Sequence, residues 1–311
     1  MDIRTFDNGT GATFFRAAGH PLAAEQFPSL LAKLQAFRAI AVYDPLGFSR
    51  DLAALYDLSS LQVAGLFVHR IEEQGEVRLG HRAKLLNDLM SSEFDAIFVI
   101  DFDHSRRLAQ LAPLVAGRPV LSLAPLRLPP EMLTVPYNYL DKLNFASDFI
   151  LFRHQDGWRS RLATANYWLE PGGGSIKLWL RLFAADGTVL ATLTRPLPSH
   201  GGSVVIDSAE LVQGLPELRD REFCGSLFIH AIGGKRHDVI KYALDSYGAR
   251  PELMSCTHDS NPFPSDHYAG LPAPNTGEKV CLWLQNCHPT PIPGGTIRLN
   301  RMGEPDSRSI P

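Results

Sequence analysis

Two alternating periods organise the first third of the chain. Leu30, Leu31, Leu34 and Phe37 recur at the spacing of one helix face and predict an amphipathic helix over Ala23–Phe37. Ala39–Tyr43 then reads as a short, wholly apolar strand and Asp44–Ser49 as a turn. Arg50–Leu58 follows as a helix with Leu52, Leu55 and Tyr56 on one side. Gln62–Val68 and Phe94–Ile100 are two further strands, Leu108–Val115 another helix and Pro119–Leu123 a fourth strand. Strands without a polar face, alternating with helices, belong to a parallel sheet covered on both sides. The pattern therefore predicts a Rossmann-like α/β domain over residues 37–135, preceded by a helical segment over residues 1–36.

After Pro129 and Pro130 the helical period disappears. Phe149–Phe152, Arg161–Trp168, Ile176–Phe183, Val189–Leu193 and Val204–Ile206 follow one another as strands, then Ser226–Ile232, Val239–Leu244, Val280–Gln285 and Thr296–Leu299. Within Ile176–Phe183 apolar and polar residues alternate over much of the run, as in an antiparallel strand with one wet face. Short strands separated by glycine and proline turns predict an antiparallel β-sandwich over residues 145–311. The polar run Arg301–Pro311 follows the last strand directly and suggests a sandwich that continues beyond the end of this sequence. The expected fold class is α/β plus all-β.

Composition narrows the function classes. A net charge of −3, with basic residues scattered, gives no electrostatic case for nucleic acid. The longest apolar runs, such as Ala96–Ile100, are of strand length and too short to span a membrane. The first residues lack the basic and apolar regions of a secretory signal, so the default expectation is a cytoplasmic protein whose four cysteines are free thiols or metal ligands.

In a Rossmann-like sheet ligands sit at the carboxyl ends of the strands. The loops concerned hold Asp44, Gly47 and Ser49, then His69, then Asp101 and Asp103, and these six are the candidate ligand-binding residues. The first loop has a single glycine where the dinucleotide fingerprint has three, which argues against NAD or FAD. One phosphate or a sugar hydroxyl could still meet the helix N-terminus near Ser49.

Strand, glycine-bearing turn and helix are followed by Val63–His69, Gly75, Gly80, Phe94–Ile100 and Leu126–Pro129. This order resembles the small Rossmann-like domains of sugar O-acyltransferases and sugar C-methyltransferases, over about residues 38–130. The resemblance implies a domain that binds or positions a phosphorylated or nucleotide-linked sugar. The chain departs from those families at Asp44 and Pro45, where a Gly-Ala or Gly-Gly pair is expected, and at His69 and Arg70, near a position often acidic.

Asp101 and Asp103 also resemble the Asp-x-Asp motif of many glycosyltransferases and the nucleophile motif of haloacid-dehalogenase-type phosphatases, both of which imply Mg²⁺ or Mn²⁺. The competing expectation is structural: Asp101 caps the next helix, with Arg106 and Arg107 offsetting its charge.

All four cysteines and five of the eleven histidines lie between Cys224 and His288. No Cys-x₂₋₄-Cys pair occurs, but Cys256 and His258 are alternate residues of an extended segment and project the same way. With Asp259 and His267 they make the candidate divalent-metal ligands, while Cys224, His230 and Cys281 fall on predicted strands as packing residues. Cys256 and His258 are poor partners for nucleophilic attack, and no Gly-x-Ser-x-Gly elbow is present. Among the aromatic residues, Trp168 is expected to be exposed at the end of its strand, where it would stack on a sugar ring.

These readings support a ligand-binding or assembly module of sugar or polysaccharide metabolism, with a sugar or nucleotide-sugar ligand and protein partners. The alternatives are a divalent-metal-dependent enzyme and a structural interaction module.

Overall fold

The computed structural model describes residues 10–115, 117–169, 175–250, 252–258, 275–277, 283–286, 289–300 and 307–309. The chain divides into two compact units, one of residues 1–17 with 123–285 and the other of residues 18–122 with 286–311. Helices α1 (Thr10–Ala18) and α2 (Pro21–Gln35) open the chain. Proline in the first turn of α2 is favourable because its missing N–H would be unpaired there in any case, and the His20 ring accepts a hydrogen bond from the Leu22 N–H. Ala23, Phe27, Leu30 and Leu34 form the buried face of α2, and Phe27 stacks on Tyr56 at 3.6 Å.

The α/β unit continues through β1 (Ile40–Asp44), α3 (Ser49–Leu55), β2 (Val63–Val68), β3 (Val77–Arg78), β4 (His81–Leu85), β5 (Ala96–Val99), α4 (Ser105–Val115) and β6 (Val120–Ser122). Its sheet has the order β3-β4-β2-β1-β5-β6, parallel except for the edge strand β3. Every residue of β1 and β5 is buried, which explains why their sequence shows no alternation. The β3–β4 hairpin has no counterpart in the hydrophobic pattern. Its strands are too short and too polar to register as a period, and Leu79 and Gly80 turn it with positive φ.

The second unit is the β-sandwich. Its strands are β7 (Ser147–Gln155), β8 (Trp158–Ala165), β9 (Lys177–Ala184), β10 (Val189–Pro196) and β11 (Ser203–Asp207). Helix α5 (Ser208–Gly214) leads to β12 (Phe223–Ile232), β13 (Ala243–Tyr247) and β14 (Met254–His258). One layer runs β10-β9-β12-β7. The tight β7–β8 hairpin joins it to a second layer in which β8 pairs with β11 on one side and β13 on the other, with β14 beyond β13. Leu178, Leu180 and Leu182, Leu227 and Ile229, and Leu162, Ile206 and Leu244 fill the space between the layers. Gly225 is required on β12 because a Cβ there would collide with the carbonyl of Phe183 on β9. A last pair, β15 (Arg298–Asn300) and β16 (Ser307–Ser309), is antiparallel.

The segment before β7 is organised by Asn144, fully buried, whose amide donates to the carbonyls of Val135, Asn138 and Tyr139 while its Oδ1 accepts from the Val135 N–H at 2.6 Å. Trp168 corrects an expectation. It is 1 % exposed and lies just past the end of β8 against Gly234, where an added Cβ would come within 2.8 Å of its ring. The indole closes the sandwich core instead of facing solvent. Trp283 is the indole left half-exposed among those described. No helix among the described residues is long and apolar enough to cross a membrane.

Candidate functional site at the carboxyl edge of the parallel sheet

The chain leaves β1 for β2 on one side and returns with β5 on the other, so the order switches at β1. The carboxyl ends of β1 and β5 are therefore where a crevice forms in such a sheet. The structure brings to this edge Asp44 and Tyr43 from β1, His69 from the end of β2, and Asp101 from the end of β5.

Asp44 folds the first loop. Its Oδ1 accepts the N–H groups of Gly47 at 2.9 Å and Phe48 at 2.8 Å, and its Oδ2 accepts that of Ser49 at 3.0 Å. Gly47 supplies the positive φ of 84° that lets these amides converge. The N–H groups that would meet a phosphate are thus already bonded to an internal carboxylate. Arg78 of the β3–β4 hairpin closes the cluster at 3.1 Å from Asp44, 3.4 Å from Glu73 and 2.9 Å from Glu76. Burial works against the Arg78 charge, but Glu76, Asp44 and Glu73 outweigh it and hold its pKa above the ordinary value. On α3, burial and the neighbouring Asp44 raise the pKa of Asp51, with Arg50 and Arg78 opposing. Asp44, Gly47 and Ser49 therefore form one folded loop, with Ser49 and Asp44 fully buried.

The neighbouring group is more open. Asp101 accepts the N–H of Asp103 at 2.9 Å and the Arg107 Nε at 3.2 Å. It closes the loop ahead of the helix and steers Arg107, one turn in, while Asp103 accepts the Ser105 hydroxyl at 2.8 Å. The Tyr43 hydroxyl and His69 Nδ1 are hydrogen-bonded at 3.2 Å. Burial raises the Tyr43 pKa. Arg107 opposes that rise, and Asp101 and Asp44 add to it, so these groups share one electrostatic neighbourhood. His69 itself is exposed. The arrangement can receive an anion or a hydroxyl-rich ligand on the Arg107 Nη groups and the His69 ring. Sequence reasoning named Arg107 only as a charge offset, because nothing in the pattern places Arg107 Nε on Asp101, and it did not select Tyr43 or Arg78 at all.

The proposed metal ligands lie in the other unit. Cys256 and His258 fall on the outward side of β14, opposite Asp245 and Ala243 of β13. The extended segment that holds them is an exposed strand. A hydrogen bond to Asp245 is the main cause of a raised Cys256 pKa, with burial and the Asp245 charge adding to it. Asp259 and His267 lie outside the described residues. Among the described residues no three His, Cys, Asp or Glu side chains stand together as metal ligands. His230 is fully buried and donates from Nε2 to the Met132 carbonyl at 3.0 Å, and burial pulls its pKa down to about 4. Cys224 is partly exposed on β12, its pKa raised by burial against the pull of Arg153.

No family model, no curated protein and no solved structure matches the chain.

Proposed function

We propose that the chain is a cytoplasmic ligand-binding module of sugar or polysaccharide metabolism, whose α/β unit holds a phosphorylated or nucleotide-linked sugar at the switch in strand order. The observation that carries this reading is Arg107, fixed through Nε by Asp101 beside the Tyr43–His69 pair at the open edge of the sheet. A guanidinium pinned through Nε keeps its two Nη groups in a set plane, ready for bidentate bonding to phosphate or carboxylate. The Asp44-filled loop moves the ligand away from the start of α3, so the phosphate meets Arg107 and the sugar hydroxyls meet His69. The free thiols Cys224 and Cys256 agree with a reducing compartment.

Thermal unfolding of the purified chain with UDP-glucose, glucose 1-phosphate and inorganic phosphate tests the reading. Stabilisation by a sugar phosphate that vanishes in Arg107→Ala is expected. A flat response to all three ligands would sink it.

A further inference from the structure

We propose that the outer face of the β11-β8-β13-β14 layer is a groove for an anionic, uronate-containing oligosaccharide. The proposal deepens the sugar reading above, but it rests on a different unit and different residues. Alternation along β8 sends Ser160, Leu162 and Thr164 inward and leaves Arg159, Arg161, Ala163 and Ala165 facing out. The register sets Ala243 of β13 beside Ala163 and His258 of β14 beside Ala243. Three alanines on adjacent strands lower the floor, while Tyr167, Lys241 and His258 stand around it and border an open depression of about 470 Å³. Two residues further along β8, a second cavity of about 260 Å³ lies on the same face between Arg161, Tyr247, Arg250 and Met254.

The second cavity is built, not merely open. Arg161 Nε is held by Asp207 Oδ2 at 3.0 Å, and its guanidinium lies 4.7 Å from the centre of the Tyr247 ring. The Tyr247 hydroxyl donates to the same carboxylate, so Asp207 is saturated and Arg161 is presented with its Nη edge outward. The hydrogen bond to Asp207 is the largest cause of an Arg161 pKa above the ordinary value, with burial opposing it and Tyr247 and the Asp207 charge reinforcing it. Lys241, Arg250 and Arg159 are exposed around the groove. Against these cations stand Asp207, already paired, Asp245, which lies between the two cavities and bonds Cys256, and exposed Glu252 in the same turn as Arg250.

The charge pattern selects the ligand. Cations stand at both ends and one carboxylate in the middle, about 13 Å of strand in all at roughly 3.3 Å per residue. An oligosaccharide places carboxylates at the ends, on Lys241 and on Arg161 with Arg250, and a hydroxyl donor opposite Asp245. Its ring faces rest on the alanine floor and beside Met254, which is 59 % exposed. A uniformly charged polyanion would meet Asp245 unfavourably, and the chain's net charge of −3 offers it no wider attraction.

Calorimetric titration with a tetrasaccharide of alternating uronate and neutral sugars and with a glucose tetramer decides the matter. The acidic tetramer is expected to bind, more weakly as salt is added, and the neutral one to bind far more weakly. Lys241→Glu with Arg250→Glu should weaken the acidic tetramer at least about ten-fold, the scale of one lost charge-assisted hydrogen bond. Ala243→Trp, which fills the floor without touching charge, should do the same, so a folding defect in one variant leaves the other as the test. Arg107→Ala must leave this binding unchanged, which separates it from the α/β site. Absence of acidic-tetramer binding overturns the proposal, as does equal binding of the neutral tetramer or indifference to both groove variants. An acidic peptide or an oligonucleotide binding in preference also overturns it.

Discussion

In the α/β unit the most deeply buried polar cluster is ionic. Asp44 is fully buried and Arg78 nearly so, and the pair is satisfied by loop amides and two further carboxylates. Among the described residues of the sandwich unit the fully buried polar side chains are Asn144, Ser160, Ser208 and His230, of which only His230 can become charged, and burial keeps it neutral. The sandwich's ion pair of Arg161 and Asp207 stands on an outer face with Arg161 reaching solvent. Charge thus shapes a loop in one unit, whereas in the other the buried acids Asp148 and Asp207 lie beside single arginines, Arg16 and the outward-reaching Arg161. Buried charges are costly to leave unpaired, whereas neutral polar groups need only a hydrogen-bond partner. A loop with Gly47 at positive φ and several converging amides demands an anion, and a sheet core does not.

The strongest way to break this contrast is to remove the anion. Asp44→Ala strips acceptors from Gly47, Phe48 and Ser49 and leaves Arg78 without its most buried partner. A loss of about 3–5 kcal/mol is expected in urea unfolding, the scale of breaking a buried pair from one side. A change below about 1 kcal/mol would mean that the loop is held by something other than Asp44.

The sandwich should respond to pH through His230. Its folded pKa of about 4 lies below the ordinary 6.5, so between those values the unfolded chain takes up a proton that the folded chain refuses. Stability is then complete above pH 6.5 and falls as the pH drops toward 4, by about 3 kcal/mol from this group. Urea midpoints across that range should fall, and His230→Gln, which keeps a donor for the Met132 carbonyl, should flatten the fall. An unchanged slope in the variant would assign the pH dependence to other groups.

This division also explains what the sequence made legible. Strand and helix periods are set by burial, so the parallel sheet and most sandwich strands could be read from apolar residues. The sites are set by long-range register, which no local pattern carries. Arg161 meets Asp207 and Tyr247 because β8 lies between β11 and β13, and those partners are 46 and 40 residues apart from the residues they bond. Trp168 was misread because a strand's end and a core's lid look alike in sequence. Asp44 was legible as a site residue, but its role as the loop's own anion depends on Arg78, which comes from a hairpin too short to show.

Smaller effects sharpen the same contrast on the outer face. Tyr247→Phe removes a hydroxyl that donates to both oxygens of Asp207 at 2.8 and 2.7 Å. Because Arg161 and the Ala209 N–H still hold the carboxylate, a loss of about 1 kcal/mol is expected in urea unfolding. A loss as large as that of Asp44→Ala would show that the outer-face cluster is as integral to its unit as the Asp44 loop is.

The least effect is expected where charge is paired in full solvent. Glu76 bonds buried Arg78 at 2.9 Å and exposed Arg50 at 3.5 Å through the same oxygen, so one carboxylate serves both kinds of pair. Arg50 is 63 % exposed, and water and salt screen what its charge contributes. Arg50→Ala should therefore change stability by less than about 0.5 kcal/mol, with any change vanishing at high salt. Arg78→Ala, by contrast, removes the partner of three carboxylates at once and should approach the cost of Asp44→Ala. The two arginines share a charge and a partner and differ in burial. Equal effects of the two substitutions in parallel urea titrations would show that burial is not what separates the structural charges of this unit from its surface ones.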